Sequence, residues 1–578
     1  MKCKYGREKE VKYFDSAEND WVQFKCDVDS KEDGYCIFHH PTYWERNKDE
    51  VKNEFMKKVE NAIKNQEKLI CIGYNLPEIH LYKKEFKADV YFENTIFHEG
   101  VDFRNTRFFK EANFNYTKFH NEVHFENAEF FKEATFIDTE FLKKVSFLST
   151  KFFEKANFKN AIFHEEADFQ KAEFSEGAIF IDVNFFKAAY FSGTIFREAY
   201  FVRVIFHGVA SFNNTIFHEG VDFRNTRFFK EANFNNAEFF GRTLFDYAEF
   251  LDNVSFDKTK FSPDLLEKCL DPINIISFRR VLFKKQQNVT FDGTNMSRVS
   301  FLHTNIDRVN FRNIKWESSY DGTLLLLKYL NKERKKFIEK GLEKATNELK
   351  DLEKNIHDKN KRIKELEATS IISKKLEELK KIIEEEKIKK EKLEKTIQDY
   401  INNKKERINE VKNKIEGYFG DDLTLDNVLS VYRSLRENYD YYLKYEESGK
   451  LFVEEMKLKR KLIGKEEGSK SFVSKISNEI EKFTMWIYEI LSLYGESYVR
   501  SIIWSIIVIV FFSFIRPLIL QNFCLNFIFE QMRKSLLIFF QLYWDSKILT
   551  IIERLLSIPI LGSLFIALKR KLERRIRH

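Results

Sequence analysis

From Phe92 to Phe261 a phenylalanine returns every five or six residues, the two steps alternating except at one slip, and the residue two places before each is Ala, Val or Thr. Phe103, Phe108, Phe114, Phe119, Phe125 and Phe130 show the rhythm, preceded by Val101, Thr106, Ala112, Thr117, Val123 and Ala128. A helix, with about 3.6 residues per turn, cannot bring all of these to one side. Self-similarity at a short period instead means stacked units that bury a face only against their neighbours. Burying one phenylalanine contributes about 1.5–3 kcal/mol, so about thirty in one column form a core that needs neither cofactor nor disulfide.

These residues resemble the pentapeptide-repeat family, whose motif centres on Leu or Phe with a small residue two places earlier. The resemblance implies a right-handed quadrilateral β-helix, one repeat per side, with the Phe and the small residue both pointing inward. This chain departs from a strict five: steps such as Phe103 to Phe108 alternate with longer ones such as Phe97 to Phe103. One coil is then two eleven-residue halves, with an extra residue at two of its corners. The slip lies between Phe196 and Phe201, and the stretch Asn94 to Asn115 recurs unchanged as Asn214 to Asn235. The β-helix is expected over 86–320. An insert at about 262–282 is carried outside the coils, and a plain spacing of five follows through Phe291, Met296, Phe301, Ile306, Phe311 and Trp316. A regular column has no cleft, so the fold does not name the function.

The 578 residues leave room for several further domains. Residues 1–43 hold Cys3, Cys26, Cys36 and His39. The C-x-x-H spacing of Cys36 and His39 lets two ligands from one tight turn meet a tetrahedral zinc, and Cys3 and Cys26 complete a Cys3His set, with His40 as the alternative imidazole. Such a site has no open position and is structural; the competing reading is ordinary reduced cysteines near a chain end. Six cysteines do not make a secreted disulfide framework, and the polar first twenty residues carry no signal peptide. Residues 44–85 are expected to supply a capping helix and an entry strand. Val51, Phe55, Val59 and Ile63 lie on one helical face and would cover the open end of the first coil.

After Trp316 the composition turns to Lys, Glu, Leu and Ile. Over 324–416, Ile338, Leu342, Ala345, Leu349, Leu352, Ile356, Ile363 and Leu366 follow four-three spacing, the seam of an α-helical coiled coil. The register is lost around Ala368 to Ser373 and restarts with Leu376, Leu379 and Ile383. Either the helix stutters there or it folds back as an antiparallel hairpin; self-association into a homo-oligomer through this seam is expected. A tyrosine-rich helical connector spans 424–495, with a break at Ser448-Gly449. Its order in the chain is similar to the connector of pentapeptide-repeat proteins that carry a C-terminal ion-channel-like module.

Residues 499–570 read as a membrane module with two transmembrane helices, about 501–520 and 548–568, long enough to cross a lipid bilayer. The short apolar run within 535–544 could re-enter from one side. Glu553 and Arg554 interrupt the second helix and are the candidate polar pair inside a bundle, or an interfacial pair at its end. The basic tail 569–578 should stay cytoplasmic. Two crossings then place the N-terminal domains on the cytoplasmic side of the cell membrane as well. No potassium-filter sequence of the TVGYG kind follows Phe540.

No phosphate-binding, dinucleotide, zinc-protease or nucleophile-elbow motif is present, so an enzyme is not expected. His98, His120 and His164 recur at coil multiples, as do Phe109, Phe131 and Phe153, which either form an outer apolar stripe or fill the enlarged corners. Nucleic acid is not an expected partner, since the column lacks a basic face. Three functions follow. The first is a membrane-anchored, non-catalytic scaffold for an unidentified protein partner. The second is a two-helix pore regulated by the β-helix. The third is a DNA-mimicking regulator of a topoisomerase, as the family resemblance allows, although residues such as Arg104, Arg107 and Lys110 break the uniform negative field that mimicry needs.

Overall fold

The computed structural model describes residues 2–7, 10–15, 20–261, 276–294, 296, 299–314, 346–347, 349–361, 363, 373–402, 424–463, 472–520 and 524–576. The chain divides into two compact units, Met1–Leu423 and Thr424–His578.

In the first unit a β-solenoid of about 10 turns runs from 69 to 312. Its strands are mostly two residues long and pair in parallel one coil apart, as Arg107 and Phe108 do with Glu129 and Phe130. Because each rung repeats the one below, every inward ring lands on its counterpart. Phe103 stacks on Phe125 at 4.6 Å with parallel planes, and Phe114 on Phe136 at 4.9 Å. Rings on different sides meet edge to face, as Phe103 meets Phe114 at 5.6 Å and 86°. Both geometries suit the aromatic quadrupole, and the column is filled solid.

The five-residue corners share one backbone device. Asn94, Asn105, Tyr116, Asn127, Asp138, Ser149 and Asn160, eleven residues apart, all sit in the left-handed region near φ +57°. Each closes a turn like the one in which Thr106 N donates to Phe103 O at 3.1 Å. Asn dominates because its short amide tolerates this conformation. At the slip, Phe196 to Phe201, the corner lacks the extra residue and runs as continuous strand over Ile195–Tyr200; its neighbour Glu173–Ile179 keeps that residue, taken up as a register shift between Phe174 and Gly177.

The solenoid begins earlier than the phenylalanine pattern implied, at 69 rather than 86. Leu69 pairs with Val90, and Leu76 and Leu81 hold inward positions that Phe occupies in later coils. It also resumes earlier after the insert, since Ile276 and Ser277 already pair with Thr243 and Leu244. Residues 262–275 and Trp316 lie outside the described residues. Helix α1 (Lys48–Asn65) buries Val51, Phe55, Val59 and Ala62 and places Phe55 6.4 Å from Phe92, covering the first coil. Ala62 is the last buried position, and the expected Ile63 is half-buried.

Of the expected coiled coil, Ile338, Leu342, Ala345 and Leu366 lie outside the described residues, while 349–361 and α2 (Ser373–Asn402) are helical. Lys359 reaches Glu386 at 2.5 Å and Lys390 reaches Glu353 at 3.0 Å. Residues that ascend along one arm meet residues that descend along the other, so the arms form an antiparallel hairpin, with Leu352, Ile363, Ile383 and Leu393 buried.

The second unit is helical. Helices α3 (Leu425–Tyr441) and α4 (Tyr445–Leu462) pack as a hairpin whose break is at Leu443, with φ +59°, so that Ser448 falls in the first turn of α4. Buried Glu455 accepts from Arg433 at 3.1 Å and Arg436 at 2.6 Å across it. There follow α5 (Phe472–Ser492), α6 (Tyr498–Ile519), α7 (Leu525–Phe539) and α8 (Ile548–Ile576). Leu491, Phe539 and Ile560 form a cluster where these four helices meet, joined by Trp504, Val508 and Ile509.

Candidate functional site

The N-terminal segment folds Cys3, Cys26, Cys36 and His39 into one buried group, with all ligand atoms within 4.8 Å of one another. The antiparallel pair Lys12–Asp15 and Asp20–Gln23 returns the chain so that Cys26 faces Cys3. The turn in which His39 N and His40 N both donate to Cys36 O brings the last two ligands in together. Cys26 Sγ lies 3.8 Å from Cys36 Sγ, and His39 Nδ1 lies 3.6 Å from Cys3 Sγ and 3.2 Å from Cys36 Sγ. Tetrahedral zinc with bonds of about 2.3 Å to sulfur and about 2.0 Å to nitrogen sets such separations at about 3.8 and 3.5 Å. The donors present therefore fit that ion.

Neighbouring groups fix the site further. His39 Nε2 is 2.9 Å from Ile72 O on the first coil, which places its proton there and leaves Nδ1 free to bind a metal. Cys36 N donates to Cys3 Sγ at 3.3 Å. The hydrogen bond from Cys36 holds the Cys26 thiol down to about 4, while the same bond and burial push Cys36 up. Tyr5 stacks on His39 at 4.0 Å, and Gly73, at φ +70°, leaves the space Tyr5 needs: a Cβ there would lie 2.0 Å from its Oη. His40 is turned away, with Nδ1 accepting from Thr42 N and Nε2 facing Glu32 and Asp33. The contact of His39 with Ile72 O ties this group of four donors to the first coil.

The solenoid's outside carries two aromatic ladders. Phe109, Phe131 and Phe153 face outward and stack at 4.8 Å, and His164, Phe186, His207 and Phe229 stack at 4.9–5.3 Å. Charges between them pair within and across coils, as Arg107 does with Glu85 and Glu129, and Arg203 with Asp182. The family model for pentapeptide repeats (9 copies) matches residues 92–140, 147–195 and 191–238. The solenoid is similar to the pentapeptide-repeat family over these residues. No curated protein and no solved structure matches the chain.

Beyond the pentapeptide repeats, α6 and α8 are long and apolar enough to cross a membrane. The structure separates the candidate pair Glu553 and Arg554, since adjacent helical residues diverge by about 100°. Glu553 is fully buried and accepts from Arg516 of α6 and Ser535 of α7. Arg554 instead donates to Tyr543 O at 3.0 Å and lies over the Trp544 ring. The run expected to re-enter is the end of a longer helix, α7, and 542–546 returns without regular structure to the start of α8. The sequence pattern does not single out Arg516 and Ser535 as partners of Glu553; a charge closing an otherwise uncharged apolar run is the available signal.

Proposed function

We propose that the protein is a membrane-anchored, non-catalytic scaffold whose pentapeptide-repeat solenoid presents its outer faces to a protein partner. One observation carries this reading: among the described residues the column is packed with stacked phenylalanine and turns aromatic ladders and ion-paired faces outward, while the same chain carries an apolar helix pair. Helices α6 and α8 anchor it in the bilayer. Lys569, Arg570, Lys571, Arg574 and Arg575 keep the end of α8 cytoplasmic, and two crossings put the solenoid on that side too. Cys3, Cys26, Cys36 and His39 hold one structural zinc, which reduced thiolates in that compartment permit. The hairpin arms supply each other's seam among the described residues, so that stripe does not itself require a second copy. Mixed charge along the solenoid disfavours the DNA-mimicking role.

Alkaline carbonate extraction of membranes containing the full chain tests the anchor: it should stay with the lipid pellet, and release into the supernatant contradicts the reading. A second reading, an ion-conducting pore, draws on the layout of α6, the shorter α7, the return over 542–546 and then α8. Reproducible single-channel steps in planar bilayers, abolished by substitutions within 535–544, would favour it over a plain anchor.

A further inference from the structure

We infer that α5 lies along the bilayer surface, with its open apolar face in the boundary between headgroups and acyl chains. Ile476, Ile480, Phe483 and Trp486 are each 46–60% exposed. At about 100° per residue, Ile476, Ile480 and Phe483 share a line that continues into Ile487 and Leu491, with Trp486 at its side. Phe483 and Trp486 stack at 5.7 Å. The C-terminal part of this face is already covered: Leu491 and Ile487 pack against Trp504, Val508, Phe539 and Ile560 of the apolar helices. Trp504 Nε1 donates to Ile490 O, and Ser501 Oγ to Leu491 O, fixing the end of α5 to the start of α6.

One continuous stripe is thus sealed by the membrane helices at one end and open at the other. Ile502, Ile503, Ile506 and Ile507 of α6, on faces of that helix away from Trp504 and Val508, are likewise exposed. Asn478 and Glu481 lie on the far side of the helix, and Glu479 and Lys482 pair at 2.6 Å along its flank. Thr484 Oγ1 is satisfied by Ile480 O at 2.8 Å. That division into an apolar and a polar face is what an interfacial helix needs, and an indole at the edge of the stripe suits the headgroup level.

This inference rests on the membrane reading, and the test separates the two. The full chain, with Cys269 and Cys524 changed to Ser, is reconstituted in phosphatidylcholine vesicles with a nitroxide on Ile480→Cys, Phe483→Cys, Asn478→Cys or Ile506→Cys. Collision rates with oxygen and with a water-soluble nickel chelate are compared. The oxygen-to-nickel ratio should be several-fold higher at 480, 483 and 506 than at 478. A dry label at 506 with labels at 480 and 483 as wet as that at 478 overturns the inference alone, and wet labels at all positions overturn the membrane reading. Spin–spin broadening at 480 and 483, removed by dilution with unlabelled chain, also overturns it, by showing that a second copy covers the face.

Discussion

Residues at the five-residue corners do two jobs at once. Thr117 is small enough to face inward, and its hydroxyl donates to Phe92 O one coil earlier at 2.7 Å; Thr139, Thr150 and Thr194 repeat the bond on Phe114, Phe125 and Phe169. Thr117→Val keeps the shape and removes the donor, so it should lower stability by about 1 kcal/mol, read by denaturant unfolding. Glu93 is a buried carboxylate whose Oε2 has no hydrogen-bond partner, and burial pushes its carboxyl up to about 7 from an ordinary 4.5. The native state then binds more protons than the unfolded chain between those values. The stabilisation is complete below about 4.5 and is lost as pH rises through about 7. Glu93→Gln should therefore melt higher than the parent at about pH 8 and alike at about pH 4. At this scale the phenylalanine rhythm was legible because each inward position repeats the same packing demand. The left-handed corner was written as Asn94, Asn105 and Asn127 at steps of eleven, but Tyr116 and Ser149 at the same positions blurred it.

Elements join through groups distant in sequence, and there local spacing carried less. The Cys36-x-x-His39 turn was legible, because two ligands on one tight turn are a local feature. What decides His39 over His40 is Ile72 O, on a coil the spacing says nothing about. Purified full-length chain should carry one zinc per molecule by atomic emission; His39→Ala or Cys26→Ala should lose it, and His40→Ala should keep it. Arg516 likewise ends an apolar run, and no local spacing links it to its partner Glu553 on another helix. Removing one member of a buried ion pair strands the other, at a cost of about 3–5 kcal/mol, whereas replacing both with apolar groups of similar volume is often neutral. Glu553→Leu should lower thermal stability in detergent, and adding Arg516→Met should restore much of the loss.

For the whole molecule, sequence periodicity distinguished its three kinds of element: a five-and-six period for the solenoid, a four-three period for the hairpin, and unbroken apolar runs for α6 and α8. It could not choose between stutter and fold-back near Ala368, because both arms carry the same seam; the Lys359–Glu386 and Lys390–Glu353 pairs make that choice. The account joins a filled aromatic column to a lipid-embedded helical module. Electron cryo-microscopy of the full chain in lipid nanodiscs tests that directly. It should show α6 and α8 within the disc and, outside it, a four-sided column whose coils repeat at about 4.8 Å. Helices 498–576 lying outside the lipid, or a hollow or mainly helical density for residues 69–312, would contradict it.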